Sequence, residues 1–357
     1  MMRDKSVAER EFIIDRNEVV LVTGASGFMG PSVVRGLVNR GFRKIRCLVR
    51  SSAPSKTAAL SELSGSGAVQ IVRGNLLSVE DCAAAADGAA VVIHLAAGRG
   101  EKSFPDAFLN SVVTTRNLLD ACRRQPLRRF VNISSFAVYA NDGSSGSRVL
   151  DETSPIERHP ERRGEAYSFA KAKQEELVAE YAERYKLPCV MIRPGWVYGP
   201  GNTALTGRVG IGTFGLFLHL GGSNAIPLSY VDNCAEAIVL AALTPGIDGE
   251  AFNVVDDDLP SSRKLLRLYK RNVSRFHSVY VPRPVSYGLC RLWESYCAWS
   301  DNQLPLVFNL SRWNSLWRKT RYTNQKLKAR LGWEPVATTE AGLQSYFEAC
   351  RARSSHA

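Results

Sequence analysis

An α/β protein built on a parallel sheet is the fold class this sequence predicts, and three observations predict it. Short β-branched runs alternate with stretches of helical spacing from Val19 to about Phe130, which is the rhythm of βαβ units. The segment LVTGASGFMGPS (21–32) places Gly24, Gly27 and Gly30 between a strand-like run and a helix-like one. At 357 residues the chain exceeds the ~100–200 residues of one typical domain. A large sheet domain with a smaller annex, or two domains sharing a cleft, is therefore expected.

Taken in order, the strands fall at VVLVTG (19–24), KIRCLVR (44–50), VQIVRG (69–74), AVVIHLAA (90–97) and RFVNIS (129–134). Between the first two, MGPSVVRGLVNRG has helical spacing and ends at Gly41, a natural C-terminal stop. Ser78 followed by Asp81 reads as a capping box opening the next short helix. The polar stretch from Asn141 to Glu165 has the composition of a surface loop, expected to lie over the site. A long helix is expected over Ala166–Tyr185, and a sixth strand, PCVMIRP (188–194), is expected to complete the main sheet. Beyond Gly199 come glycine-rich loops, a helix around NCAEAIVLAALT, a strand AFNVV and a basic aromatic segment from Tyr280 to Tyr322. There is no internal repeat and no low-complexity linker.

Composition narrows the function classes. With 45% hydrophobic and 22% charged residues, and no run approaching the ~18 apolar residues of a membrane span, the chain reads as soluble and globular. The N-terminus MMRDKSVAEREFIIDRNE lacks an apolar core and mixes acids with its bases, so it resembles neither a secretory signal nor a transit peptide. The eight cysteines form no Cys-x-x-Cys and no metal-like cluster and are read as reduced, mostly buried thiols of a cytoplasmic protein; no metal is expected. The formal charge of +12 favours anionic ligands. No Lys/Arg tract is interleaved with stacking aromatics, which argues against a nucleic-acid partner.

A helix N-terminus presents unsatisfied N–H groups and the positive end of its dipole, and glycines let the backbone come close, so the turn at Gly24, Gly27 and Gly30 suits the pyrophosphate of a dinucleotide. The residue that reads the adenosine ribose lies some ~20 positions on, at the end of the second strand. That position is Arg50, not an acid. An acid would accept from the 2′-hydroxyl of NAD, whereas Arg50, backed by Ser51 and Arg46, would pair with a 2′-phosphate. NADP(H) is favoured, with NAD(H) as the alternative and a solvated strand end as the bland reading of Arg50.

In YSFAK, Tyr167 and Lys171 stand four apart on one helix face. A phenol is a poor acid or base near neutrality unless a cation stabilises its phenolate, and Lys171 can do so. The pattern alone is common. It gains specificity from Ser135 in ISSFAVYA, at the carboxyl edge of the sheet where such folds bind ligands.

On these residues the chain resembles the extended short-chain dehydrogenase/reductase superfamily, also called the NAD-dependent epimerase/dehydratase family. The resemblance runs from about Glu18 to Gly342 through TGASGFMG, GNL, HLAA, NSVVTTRNLLDA, ISSFAVY, YSFAK, RPGWVYGPG, YVDNCAEAI, FNVVDD and LGWEP. It implies a Rossmann-like doubly wound sheet (18–200, after an extension 1–17) with an interleaved C-terminal substrate-binding region (201–350). It implies Ser135, Tyr167 and Lys171 as the catalytic triad. Cofactor contacts implied by the same motifs come from Ser26, Phe28 and Met29 within the glycine turn, and from Asn75 and Leu76, Leu95, Ala96 and Ala97, Asn110 and Pro194, beside Tyr167 and Lys171. The usual Asp at the adenine edge is Asn75 here, which still hydrogen-bonds. Asn110 is read equally as lining the nicotinamide side or as a buried structural amide. His94, inside a strand, is read as packed against the cofactor rather than catalytic. A small-molecule substrate and a homodimeric assembly are expected.

Departures from the pattern choose among reactions. Sugar dehydratases resemble one another in an Asp-Glu pair just after the serine, where this chain has Phe136-Ala137. Nucleotide-sugar epimerases place an asparagine ahead of VYGP and an arginine ahead of YVD to hold a diphosphate, and this chain has Gly195-Trp196 and Ile226-Pro227 near those points. The run before YVDN looks more like the 3β-hydroxysteroid dehydrogenase-like branch, whose substrates are apolar. The expected activity is interconversion of a secondary alcohol and a ketone by hydride transfer. A nucleotide-sugar epimerase or reductase is the alternative; a non-enzymatic cofactor sensor fits poorly with an intact triad. Trp293, Trp299, Trp313 and Trp317 lie among basic residues and are read as filling the core of a helical cap, with an apolar substrate wall or a membrane-touching lid as the less favoured reading.

Overall fold

The computed structural model describes residues 11–50, 54–65, 67–98, 103–141, 149–213, 215–300 and 309–354. Its centre is a seven-stranded sheet in the order β3-β2-β1-β4-β5-β7-β12, with every neighbouring pair parallel. The strands are β1 (Val19–Thr23), β2 (Ile45–Val49), β3 (Val69–Arg73), β4 (Ala89–His94), β5 (Arg129–Ile133), β7 (Cys189–Pro194) and β12 (Ala251–Val254). Short strands outside it are β6 (Val149–Leu150), β8 (Trp196–Tyr198), β9 (Gly210–Thr213), β10 (Leu216–His219), β11 (Leu228–Tyr230), β13 (Ser278–Tyr280) and β14 (Arg321–Tyr322). The sixth expected strand does not complete the sheet. AFNVV joins it as a seventh, parallel to β7, with Phe252 opposite Ile192.

Alternation along each strand feeds two cores, because successive side chains point to opposite faces. Val20 and Val22 of β1 pack with helices α1 (Gly30–Asn39), α2 (Pro54–Ser64), α7 (Val231–Leu243) and α11 (Gln325–Leu331). Leu21, between them, packs on the other face with α3 (Val79–Ala86), α5 (Thr114–Cys122) and α6 (Ala166–Tyr185). Helix α7 is buried almost all round, so its sequence is apolar on every face rather than along a stripe. α4 (Phe104–Phe108) precedes α5. The annex holds α8 (Ser262–Asn272), α9 (Arg283–Trp299), α10 (Leu310–Trp317) and α12 (Thr339–Ser354).

Local signals place the ends. Gly41 turns with φ +81° just after α1. The Ser78 hydroxyl accepts from the Asp81 N–H at 3.0 Å, but the Asp81 carboxylate accepts from the Asn75 N–H at 2.7 Å, so the capping box is half formed and its acid braces the loop after β3. The expected surface loop from Asn141 to Glu165 is anchored inward where it is described. Arg163 is buried and donates to the carbonyls of Ala137 and Tyr139, and β6 pairs with β14. All eight cysteines are free and buried, and no described helix is long and apolar enough to cross a membrane.

Candidate active site

The carboxyl ends of β1, β2, β4, β5 and β7 open onto one cavity of about 900 Å³. Its wall takes Gly24, Ser26, Gly27, Phe28, Met29 and Gly30 from the turn after β1, Arg50 from the end of β2, and Asn75 and Leu76 from the loop after β3. Leu95, Ala96 and Ala97 after β4, Asn110, Ser135, Tyr167, Lys171 and Pro194 complete the set. Ser51 lies outside the described residues.

The glycines are there because nothing larger fits. Gly24 has φ +67°, and a Cβ on it would stand 2.7 Å from the Ala96 nitrogen; one on Gly30 would stand 1.9 Å from the Ala25 carbonyl oxygen. Helix α1 begins with no side-chain cap; its Pro31 has no N–H and the Gly30 N–H donates to the Gly27 carbonyl at 3.2 Å, so what the helix start offers an anion is chiefly the positive end of its dipole. Arg50 is exposed at the rim. Among the described lining residues, Arg50 and Lys171 are the charged groups and no carboxylate accompanies them. Arg46 does not back Arg50: its guanidinium donates to the Ala85 and Asp87 carbonyls, each at 2.7 Å, where a cation suits the end of α3. Asn75 Oδ1 accepts from the Leu77 N–H at 3.1 Å. Asn110 is half-buried rather than buried, on a π-helical turn over Leu109–Val113, and its Nδ2 donates to the Asp106 carbonyl at 3.0 Å.

Ser135 stands just beyond β5 and caps a single turn, Phe136–Val138; its Oγ accepts from the Ala137 N–H at 3.2 Å, which leaves its own hydrogen to donate. Tyr167 is the second residue of α6 and is 40% exposed. Lys171, one turn on, is buried and donates to the Ile133 carbonyl at 2.7 Å and to Gln174 Oε1 at 2.8 Å. Burial lowers its pKa to about 7, against the opposing pull of Glu175.

Beneath Lys171 runs a buried polar chain. Gln174 Nε2 donates to Thr115 Oγ1 at 2.8 Å, and Thr115 in turn donates to the Ser111 carbonyl at 2.5 Å. The Thr115 hydrogen being spent, His94 must carry its proton on Nε2, donating to Thr115 at 2.9 Å, while its Nδ1 accepts from Thr23 Oγ1 at 2.7 Å. Burial and the nearby Lys171 charge lower His94 to about 3. It is therefore a neutral strut, and it packs between threonines rather than in the cavity wall. A second layer is ionic. Glu175 accepts from Ser134 Oγ at 2.5 Å and pairs with buried Arg193, whose Nη1 donates to the Tyr139 hydroxyl at 3.0 Å. Tyr139 donates onward to Asn253 Oδ1 at 2.6 Å. Ser134, Gln174, Glu175 and Arg193 were not legible as site residues from the sequence. The signal for Glu175 was there, one turn past Lys171 on the same face.

On the substrate side the two departures from the epimerase pattern meet. A Cβ on Gly195 would stand 2.3 Å from the Pro227 oxygen, and the Trp196 N–H donates to that oxygen at 2.7 Å as β8 pairs with β11. Ile226 is buried. The Trp196 ring stacks on Tyr198 at 6.1 Å between centroids. The YVDN, FNVVDD and LGWEP runs explain one another: Asn233 donates to Asp256 at 2.9 Å and accepts from the Ala337 N–H at 2.9 Å, and Trp333 donates to the Asn233 carbonyl at 3.0 Å.

A doubly wound parallel sheet with a glycine turn at its first crossover and a Ser/Tyr/Lys cluster at its carboxyl edge defines an enzyme of Rossmann-like, nicotinamide-dependent type. The model of the NAD dependent epimerase/dehydratase family matches residues 20–254, and the chain belongs to that family, as an oxidoreductase or epimerase. It is 27% identical to 3beta-hydroxysteroid-dehydrogenase/decarboxylase isoform 1 of Arabidopsis thaliana over 91% of this chain and 77% of the relative. It is 28% identical to 2-alkyl-3-oxoalkanoate reductase of Shewanella oneidensis over 69% of this chain and 64% of the relative. Among solved structures, UDP-glucuronic acid 4-epimerase from Bacillus cereus in complex with NAD superposes with TM-score 0.70 at 21% identity, covering 94% of this chain and 99% of that one.

Proposed function

We propose that the protein is an NADP(H)-preferring oxidoreductase that interconverts a secondary alcohol and a ketone on an apolar substrate. The observation that carries this reading is one cavity lined by Ser135, Tyr167 and Lys171 together with exposed Arg50, with no carboxylate among the described lining residues. The glycine turn fits a dinucleotide, since Gly24 and Gly30 let the turn close tightly on Ala96 and Ala25 of its own chain, the strand-turn-helix packing that seats a helix start beside a diphosphate. The bound nicotinamide supplies or accepts the hydride.

In the reducing direction, Tyr167 gives its phenolic proton to the carbonyl oxygen as the carbonyl carbon receives the hydride, so a C–H and an O–H bond form while the C=O π bond is lost. Ser135 donates a hydrogen bond to the same oxygen. Lys171, with two of its three N–H groups committed to Ile133 and Gln174, would stabilise the phenolate left on Tyr167 by its charge and has a third N–H with which it would hold the cofactor ribose. The pairing of Gly195 with Pro227 supports an apolar substrate, because it puts close-packed backbone where a diphosphate clamp would stand. The relatives named for 3β-hydroxysteroids and 2-alkyl-3-oxoalkanoates agree, as both names describe an oxygen function on an apolar skeleton.

Two assays test the reading. NADPH oxidation is expected with members of a panel of alicyclic and long-chain ketones, and consumption confined to polar sugars would contradict it. Arg50→Asp is expected to move cofactor preference from NADPH toward NADH by at least ~10-fold, because the 2′-phosphate loses a cation and meets a like charge. An unchanged ratio in a binding titration would show that Arg50 serves solvent alone.

A further inference from the structure

We infer that helix α9 is a membrane-docking face, which seats the protein in the plane of an anionic lipid surface. Its inner side is thin: Ser286, Cys290 and Cys297 are its buried residues, with Cys290 packed against Trp313, Leu316 and Trp317. Its outer side carries Val285, Leu289, Leu292, Tyr296 and Trp299, spaced four, three, four and three residues apart, so they form one stripe down the helix. They are 49% to 79% exposed, with Trp299 the most open and Leu292 next at 70%. Val279 and Tyr280 on β13, the strand that feeds into the helix, are also exposed. The tryptophans of this segment therefore divide. Trp313 and Trp317 fill its core as expected, and Trp299 does not.

What covers this stripe is indicated by charge. Between Arg263 and Arg321 the sequence holds twelve Lys or Arg residues against Glu294 and Asp301. That stretch supplies most of the +12 net charge of the whole chain. Arg283 and Arg291 lie on α9 itself and are exposed. Arg263 sits over the Tyr280 ring at 5.3 Å, and Lys270 donates to Ser278 at 2.6 Å, so both stand at the strand that leads into the helix. A helix with an exposed Leu/Tyr/Trp stripe and basic flanks is the arrangement that inserts shallowly into a headgroup layer, with aromatic rings at the boundary and cations on lipid phosphates. A second copy of this chain is the poorer occupant, because pairing two such faces brings two strongly basic segments together.

The test is co-sedimentation of the full chain with phosphatidylcholine vesicles, with and without phosphatidylglycerol. Binding is expected to the anionic vesicles and to weaken as salt rises. Leu292→Glu combined with Trp299→Glu is expected to reduce it by at least ~10-fold, with unchanged cofactor binding and melting temperature showing that the fold is intact. Arg283→Glu combined with Arg291→Glu separates the charge from the apolar stripe and should weaken binding to anionic vesicles alone. Absence of vesicle binding, or equal binding to neutral vesicles, overturns the inference. So does a concentration-dependent dimer in sedimentation that the Leu292/Trp299 variant abolishes, which would assign the face to self-association.

Discussion

In the proposed reaction Tyr167 and Lys171 divide the work of one proton transfer, and each can be tested alone. Tyr167→Phe keeps the ring and removes the transferable proton. Its turnover is expected to fall by ~10²–10⁴-fold with cofactor affinity near wild type, and retention of more than roughly a tenth of kcat would remove Tyr167 from the proposed role. Lys171 ties function to stability. Its value in the folded, cofactor-free protein, about 7, lies below the ordinary 10.5, so between those pH values the unfolded chain binds a proton that the folded one does not. Stability conferred at this position therefore rises with pH across that window. Measured against Lys171→Met, the wild type should gain up to ~1.4 kcal/mol per pH unit; a pH-independent difference in urea unfolding would show that Lys171 keeps its ordinary value. Ser135, Tyr167 and Lys171 could be picked out as candidates because the chemistry proposed for them needs a fixed spacing within one helix turn and a position at a strand end, and all three line the cavity. Arg46 was misplaced because it is the second residue of β2, near the amino end of the strand and away from the carboxyl edge, where its guanidinium meets the end of α3 instead.

At the scale of elements, α6 is held to β5 and β7 by an ionic pair rather than by apolar contact alone. Glu175 and Arg193 are both buried, and Ser134 and Tyr139 complete their hydrogen bonding. Glu175→Leu leaves a buried cation unpaired and is expected to cost ~3–5 kcal/mol in urea unfolding, whereas adding Arg193→Met should recover much of that loss. A single-variant cost below ~1 kcal/mol would mean that Arg193 finds water or another acceptor. This layer escaped sequence reading because it joins three segments whose adjacency exists only after β7 docks beside β5. The strand AFNVV shows the same limit. Its β character was readable, but its place beside β7 depends on a return of the chain from the annex, and no local pattern reports that. The half-formed capping box at Ser78 is a smaller instance: the acid at the right spacing found a competing N–H on Asn75.

At the scale of the whole molecule, one cavity along the sheet edge serves the chemistry, and the choice between oxidoreductase and epimerase turns on what its outer end can hold. Long-range attraction from the +12 charge favours any anion, but it is screened over ~8 Å at physiological salt, while a diphosphate needs short charge-assisted bonds. At Gly195 and Trp196 both backbone N–H groups are already spent, on the Val254 and Pro227 carbonyls, and supply none of these. The measurement that bears on this most directly is a calorimetric titration of UDP, GDP and dTDP into the purified protein with NADP(H) present, followed by incubation with the corresponding sugars. For an oxidoreductase on apolar substrates, no micromolar binding of any of the three and no sugar interconversion are expected; micromolar binding, or interconversion without net change in the cofactor, would contradict that reading and make the protein an epimerase.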